Sequence, residues 1–217
     1  MAPKPRISWR AATVAIAAIV LAGLGATAVA ASRGAALFAS DDHASHGVPV
    51  SQEAQQRADA LITATTDALA PYADVAAAEA AGYRWIGDDS GYRHYVQSGY
   101  LLDSAVLDPA RIESLVYQDQ PDGSLRLVSG MYILPPGDEL DDAPAIAGAS
   151  WHIHTNLCWG NDATIVGTND SGSCPAGSVN AKTPPMLHVW VVDNAQGRFA
   201  AIDENGEVTA SDADHTH

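Results

Sequence analysis

Basic residues are scarce in this chain. Its 217 residues include 11 Lys and Arg against 26 Asp and Glu, a formal net charge of −15. Three of the bases, Lys4, Arg6 and Arg10, fall within the first ten residues, which hold no acid. Without residues 1–30 the chain keeps 8 bases and 26 acids, a net −18. Such a surface repels phosphate backbones and anionic headgroups, which excludes nucleic acid and anionic lipid as partners. Cysteine is nearly absent: Cys158 and Cys174 are the two. Neither lies near the N-terminus, and no Arg-Arg pair occurs there, so neither lipoprotein anchoring nor twin-arginine export is indicated. Also missing are G-x-S-x-G, H-E-x-x-H and a P-loop, and with them three common hydrolytic and nucleotide chemistries. Asp203-Glu204-Asn205-Gly206 opens like a calcium loop, but its Gly comes too early and no Glu closes it at the twelfth position. Paired carboxylates occur as solvated runs such as Asp138-Glu139 and Asp141-Asp142, and no internal repeat is present.

Residues 11–31 are almost wholly apolar or small, and Ala28-Val29-Ala30 fits a small-x-small cleavage pattern. Residues 1–31 are therefore a signal peptide, or a membrane anchor if uncleaved, since about 20 apolar residues span a bilayer. The bases precede the apolar run, so either reading puts the remainder outside the cytoplasm, secreted or held on the outer membrane face. An oxidising compartment and an even cysteine count allow one disulfide, Cys158–Cys174. Closing a loop of that length contributes about 3 kcal/mol in the chain-entropy picture. Cys158 lies four residues after His154, so thiolate ligation of a metal is the competing role.

Residues 32–50 are small, polar and aperiodic, a flexible linker. Ser51 reads as an N-cap, and Ala54, Ala58, Leu61, Ile62, Thr65 and Leu69 recur at helical spacing, predicting a helix over 52–69. A second short helix over 74–81 is closed by Gly82. Aromatic, β-like runs follow at 83–86 and 92–96. Runs at 114–117 and 125–134 flank Gln120-Pro121-Asp122-Gly123, a hairpin turn. Residues 135–149 read as a loop, 151–157 as a strand, 160–185 as a long irregular loop, and 187–193 with 198–202 as a last hairpin. The expected fold is mainly β (α+β): a short helical hairpin, then a small antiparallel barrel or sandwich over 51–205 as one domain, with an acidic tail over 206–217.

Two of the expected strands carry the strongest functional signal. One is Trp151-His152-Ile153-His154-Thr155-Asn156-Leu157, the other Met186-Leu187-His188-Val189-Trp190-Val191-Val192. On a strand, residues two apart share a face, so His152 and His154 project together. His188, on an apolar strand, can close a triangle with them. Neutral imidazole is a common ligand for zinc, copper, nickel and non-haem iron. Glu113, at a strand start, and His94, between Tyr92 and Tyr95, are candidates for a further ligand. Asn156 shares a face with the histidine pair and suits a supporting role, and Tyr92, Tyr117 and Trp190 can shape a pocket. The competing readings are a solvated histidine pair and a core His188. His43 and His46, and His215 and His217, sit in short acidic tracts; tracts of that kind bind metal weakly, and the competing reading is plain acidic tail chemistry.

The string Trp-His-x-His-x-Asn-Leu-Cys followed by Pro-Met-Leu-His-Val-Trp resembles an uncharacterised family of secreted bacterial proteins, over roughly residues 82–200. That resemblance brings no mechanism. There is also a likeness to cupins, β-barrels that bind a metal through an H-x-H pair, a carboxylate and a later His. It implies His152, His154 and His188 as ligands. It departs in the carboxylate, since Cys158 and Trp159 stand where a Glu is expected, and in the Gly and Pro punctuation. The expectation is an exported metal-binding domain taking a divalent transition metal, zinc or copper first, iron or manganese next. It would be an enzyme if an open position activates water or dioxygen. A carrier or buffer, and a metal-free extracellular ligand-binding or structural module, are the other classes.

Overall fold

A computed structural model describes residues 50–210. The signal or anchor segment, almost all of the linker and the histidines of both termini lie outside the described residues. Among the described residues no helix is long and apolar enough to cross a membrane.

Helix α1 spans Gln52–Leu69, and the Ser51 side chain accepts a hydrogen bond from the Ala54 N–H at 3.1 Å. Its buried positions, Ala58, Leu61, Thr65 and Leu69, repeat at three- and four-residue spacing, which makes one apolar stripe. A 3₁₀ turn, Ala70–Tyr72, leads to α2, Val75–Ala80, capped by Asp74. Gly82 follows at φ 97°, the left-handed end that Gly adopts without penalty.

Strands β1 (Arg84–Trp85), β2 (Tyr92–Val96), β3 (Ser114–Asp119), β4 (Leu125–Ile133) and β8 (Met186–Trp190) form one sheet in the order β1-β2-β3-β4-β8. Every pairing in it is antiparallel. A one-turn helix α3, Ser98–Leu101, follows β2. The β3–β4 turn is the expected one, with Gly123 at φ 83°. Three shorter strands, β5 (Leu157–Trp159), β6 (Ile165–Thr168) and β7 (Val179–Asn180), form a second sheet in the order β6-β5-β7. Strands β9 (Ala201–Ile202) and β10 (Val208–Thr209) form a third.

The mainly β expectation holds, with four differences. The described strands close no barrel; the large sheet is open, with β1 and β8 at its edges. The run at 151–157 is not a strand, and His152 makes a single bridge to Met186 before the chain bends into β5. The stretch 160–185 is not wholly irregular, since it supplies β6 and β7. Finally, β9 pairs with β10 rather than with β8, and residues read as tail thus carry a strand.

Each face of the large sheet has its own cluster. One holds Leu115, Tyr117, Tyr132, Leu187 and Val189 under the α1 stripe. Gly130 lets the helix come close: a Cβ there would lie 3.1 Å from the Thr65 methyl and 3.3 Å from a Leu69 methyl. The Thr65 hydroxyl and the Tyr132 hydroxyl share a buried hydrogen bond of 2.8 Å. The other face holds Val116, Met131, Ile133, Met186 and Trp190 with Ala200 and Ile202. The Cys158–Cys174 disulfide is formed, with Cα atoms 5.5 Å apart, so neither sulfur is a free thiolate ligand.

Leu69 is 1% exposed and packs over Gly130. Leu69→Ala should lower stability by about 3 kcal/mol in urea unfolding, from lost burial plus the cavity left. A loss under about 1 kcal/mol would show that α1 does not rest on the sheet there.

Candidate metal centre

Four imidazoles gather on the face of the sheet opposite α1. The ring centres of His152 and His154 are 5.4 Å apart, those of His152 and His188 5.4 Å, and those of His94 and His188 5.5 Å. Imidazoles bound tetrahedrally to one metal, with bonds of about 2 Å, have ring centres about 5 Å apart. Among the described residues, no group of three or more His, Cys, Asp or Glu side chains is placed so that it could hold a metal ion without rearrangement.

The backbone explains why these rings meet. Strands β2 and β8 stand three places apart in the sheet, about 14 Å across a flat surface. His94 on β2 and His188 on β8 can meet only if the sheet curls around them. Small side chains between them, Ser114 on β3 and Ser129 on β4, leave room on that concave face. The segment carrying His152 and His154 is laid across by backbone bonds. His152 and Met186 exchange N–H···O bonds of 3.0 and 2.9 Å. His154 and Thr183 do the same, the Thr183 hydroxyl accepting from the His154 N–H at 2.9 Å and the His154 carbonyl from the Thr183 N–H at 2.9 Å.

Three rings are oriented by oxygen at Nδ1. The His94 Nδ1 lies 2.6 Å from Asp88 Oδ2, the His152 Nδ1 3.0 Å from the Ser150 carbonyl, and the His154 Nδ1 3.5 Å from Glu204 Oε2. A carbonyl or carboxylate partner requires a proton on Nδ1, which leaves Nε2 as the lone-pair nitrogen. Both anchoring carboxylates are themselves held. Asp88 accepts from the Trp85 indole N–H at 3.1 Å and from the His94 N–H at 3.1 and 3.2 Å. Glu204 accepts from the Asn156 amide at 2.9 Å, and Asn156 also donates to Asp170 at 2.7 Å.

Two ring nitrogens lack any partner although buried: His152 Nε2 and His188 Nδ1. A buried nitrogen left so costs on the order of 1–3 kcal/mol. Burial, with smaller contributions from His154 and His94 and against the opposing Ser150 carbonyl, lowers the His152 pKa to about 4. Burial likewise pushes His188 well below the ordinary imidazole range, with the same histidines contributing. His154 is lowered by burial against the opposing pull of Glu204. Neutral imidazoles with free lone pairs suit a cation, not proton transfer near pH 7.

The remaining residues singled out from sequence divide between the two faces. Trp190 shares the histidine face, and Tyr92 stands edge-on to it at 5.9 Å. Tyr117 does not join them; it is in the cluster under α1, donating to the Tyr72 carbonyl at 2.7 Å. Glu113 is not brought to the imidazoles either. By strand alternation it shares the face of Leu115 and Tyr117, its carboxylate accepts from the Ile133 N–H at 3.2 Å, and its charge acts on Tyr83 and Tyr132. Asp88 and Glu204 were missed by motif reading. Asp88 sits in Gly87-Asp88-Asp89-Ser90-Gly91, a turn-forming string just before His94, which was the available signal.

A cleft of about 1110 Å³ opens beside the group. His94 and His154 reach its wall, along with Met131, Met186, Trp159 and Lys182.

Burial pushes the Glu113 pKa up to about 7, with Asp103 and Asp108 adding to the rise. A carboxyl raised from 4.5 to about 7 favours the folded state below pH 4.5 and loses that contribution as pH rises to 7, about 3 kcal/mol in all. His152, lowered from 6.5 to about 4, works the other way: its contribution is complete above 6.5 and lost as pH falls to 4. Urea unfolding of metal-free protein should therefore show Glu113→Gln more stable than wild type at pH 8 and equal to it at pH 4.5. Equal stability at pH 8 would show that Glu113 is not buried as described.

No family model matches the chain, no curated protein matches it, and no solved structure matches its fold.

Proposed function

We propose that this is an exported metal-binding protein. His94, His152, His154 and His188 hold one divalent transition metal. The observation that carries this reading is the pair of buried, partnerless nitrogens, His152 Nε2 and His188 Nδ1, within a group of four closely spaced rings. A metal ion gives both nitrogens the partner that the protein does not. The oxygen anchors at Nδ1 of His94, His152 and His154 are the kind that fix the tautomer of ligating histidines. Asp88 and Glu204 place a carboxylate just outside the imidazole group at His94 and at His154, which suits a bound cation. Three of the ring pairs stand at 5.4–5.5 Å, and closure of all four on a metal needs the rings to turn and the group to draw together.

The cleft favours a metal that meets a small molecule over a closed storage site, because two of the four rings reach its wall. The curled open sheet does here what a barrel would do: it collects imidazoles from distant strands on one concave face.

Metal analysis of the purified chain beside a His152→Ala/His154→Ala variant tests this. About one metal per chain in wild type, and less than a tenth of that in the variant, is the expected result. Metal-free protein in both cases, after reconstitution with zinc, copper and iron in turn, would sink the reading.

A further inference from the structure

Beyond Met1, the chain has two methionines, Met131 and Met186, and both stand on the histidine face of the sheet. Met131 on β4 is the cross-strand partner of His188 on β8, so their side chains leave the sheet together. Met186 stands two residues before His188, on the same face, and is the bridge partner of His152. Both are almost wholly buried, at 4% and 5% exposure, and both contribute to the cleft wall along with His94 and His154. Elsewhere the core is built from Leu, Ile, Val, Ala and aromatic residues, which pack with better-defined rotamers. Placing the flexible, polarisable thioethers beside His188 gives the site something that hydrocarbon does not.

That something is soft-ligand character. Thioether sulfur is a poor ligand for zinc or manganese beside imidazole, and a good one for copper(I). Each thioether is neutral, so sulfur adds donors without adding charge. His188, whose Nδ1 is buried without a partner, has Met131 opposite it on β4 and Met186 two residues before it on β8.

We infer that the site is a copper site that selects copper(I), with Met131 and Met186 supplying thioether ligands beside the histidines. This rests on the imidazole reading above and gives it a metal. The set serves both oxidation states: imidazole holds copper(II), and sulfur adds preference for copper(I).

The test is competition for copper(I), delivered anaerobically from its bicinchoninate complex, in wild type and a Met131→Leu/Met186→Leu variant. Zinc affinity is measured in parallel with a chromophoric chelator. Leu and Met are close in volume, so the core should survive the exchange, and matching thermal unfolding of the metal-free proteins checks this. The expected result is a tenfold or greater loss of copper(I) affinity in the variant, with zinc affinity changed less than twofold. Equal copper(I) affinity in the two proteins would overturn the methionine assignment while zinc binding kept the imidazole reading intact. Wild type that binds neither ion would remove both. Should the variant fail to fold, X-ray absorption of the copper(I)-loaded wild type decides alone: a sulfur scatterer at copper supports the inference, and a shell of nitrogen only overturns it.

Discussion

Two backbone hydrogen bonds between His152 and Met186 hold the site together. They fasten a segment with no strand structure of its own to the edge strand β8, two residues from His188. Without them, His152 and His154 would belong to a loop, and His94 and His188 would face each other alone. The disulfide works in the same direction. It ties Cys158, in the first strand after the histidine segment, to Cys174, and limits how far that segment can lift. The entropy removed from the unfolded chain is thus spent close to where four polar rings must be kept dry.

Dehydrating those rings sets the electrostatics. Each imidazole has given up water on at least one side, and His188 is 1% exposed. Only oxygen anchors at their outer edges restore part of what is lost. The anchors come from three separate places: the β1–β2 turn for Asp88, the chain just before His152 for the Ser150 carbonyl, and the β9–β10 turn for Glu204. The large sheet supplies the concave floor, and the short sheets and turns supply the rim. Glu113 illustrates the contrast across the sheet. It too is buried and shifted, but it lies among tyrosines under the helix, and its burial bears on folding rather than on the imidazoles.

Local pattern carried much of this fold into view. The α1 stripe from Ala58 to Leu69, the Asp74 and Gly82 ends of α2, the Pro121-Asp122-Gly123 turn and strand β8 all follow from spacing and turn chemistry. Three things did not. The His152-x-His154 pair looked like a strand face, yet its rings meet because tertiary bonds to Met186 and Thr183 bend the segment into place. The faces of β3 could not be told apart, since Leu115 and Tyr117 on one side are as apolar as Val116 on the other; hence Glu113 could not be assigned a side. Strand order was equally hidden. That β2 and β8 approach across two intervening strands depends on curvature, which Ser114 and Ser129 permit but do not announce.

The position of β8 at the sheet edge has one more consequence. Its sequence, Met-Leu-His-Val-Trp, is apolar and rich in strand-forming residues, and an uncovered edge of that kind recruits strands from other molecules. Here the outward backbone is taken up, at Met186 by His152 and at Trp190 by Arg198. The segment that brings two histidines to the centre is therefore also a guard rail. A change that loosens residues 150–156 exposes a sticky edge, so that damage to the histidine segment shows itself as aggregation.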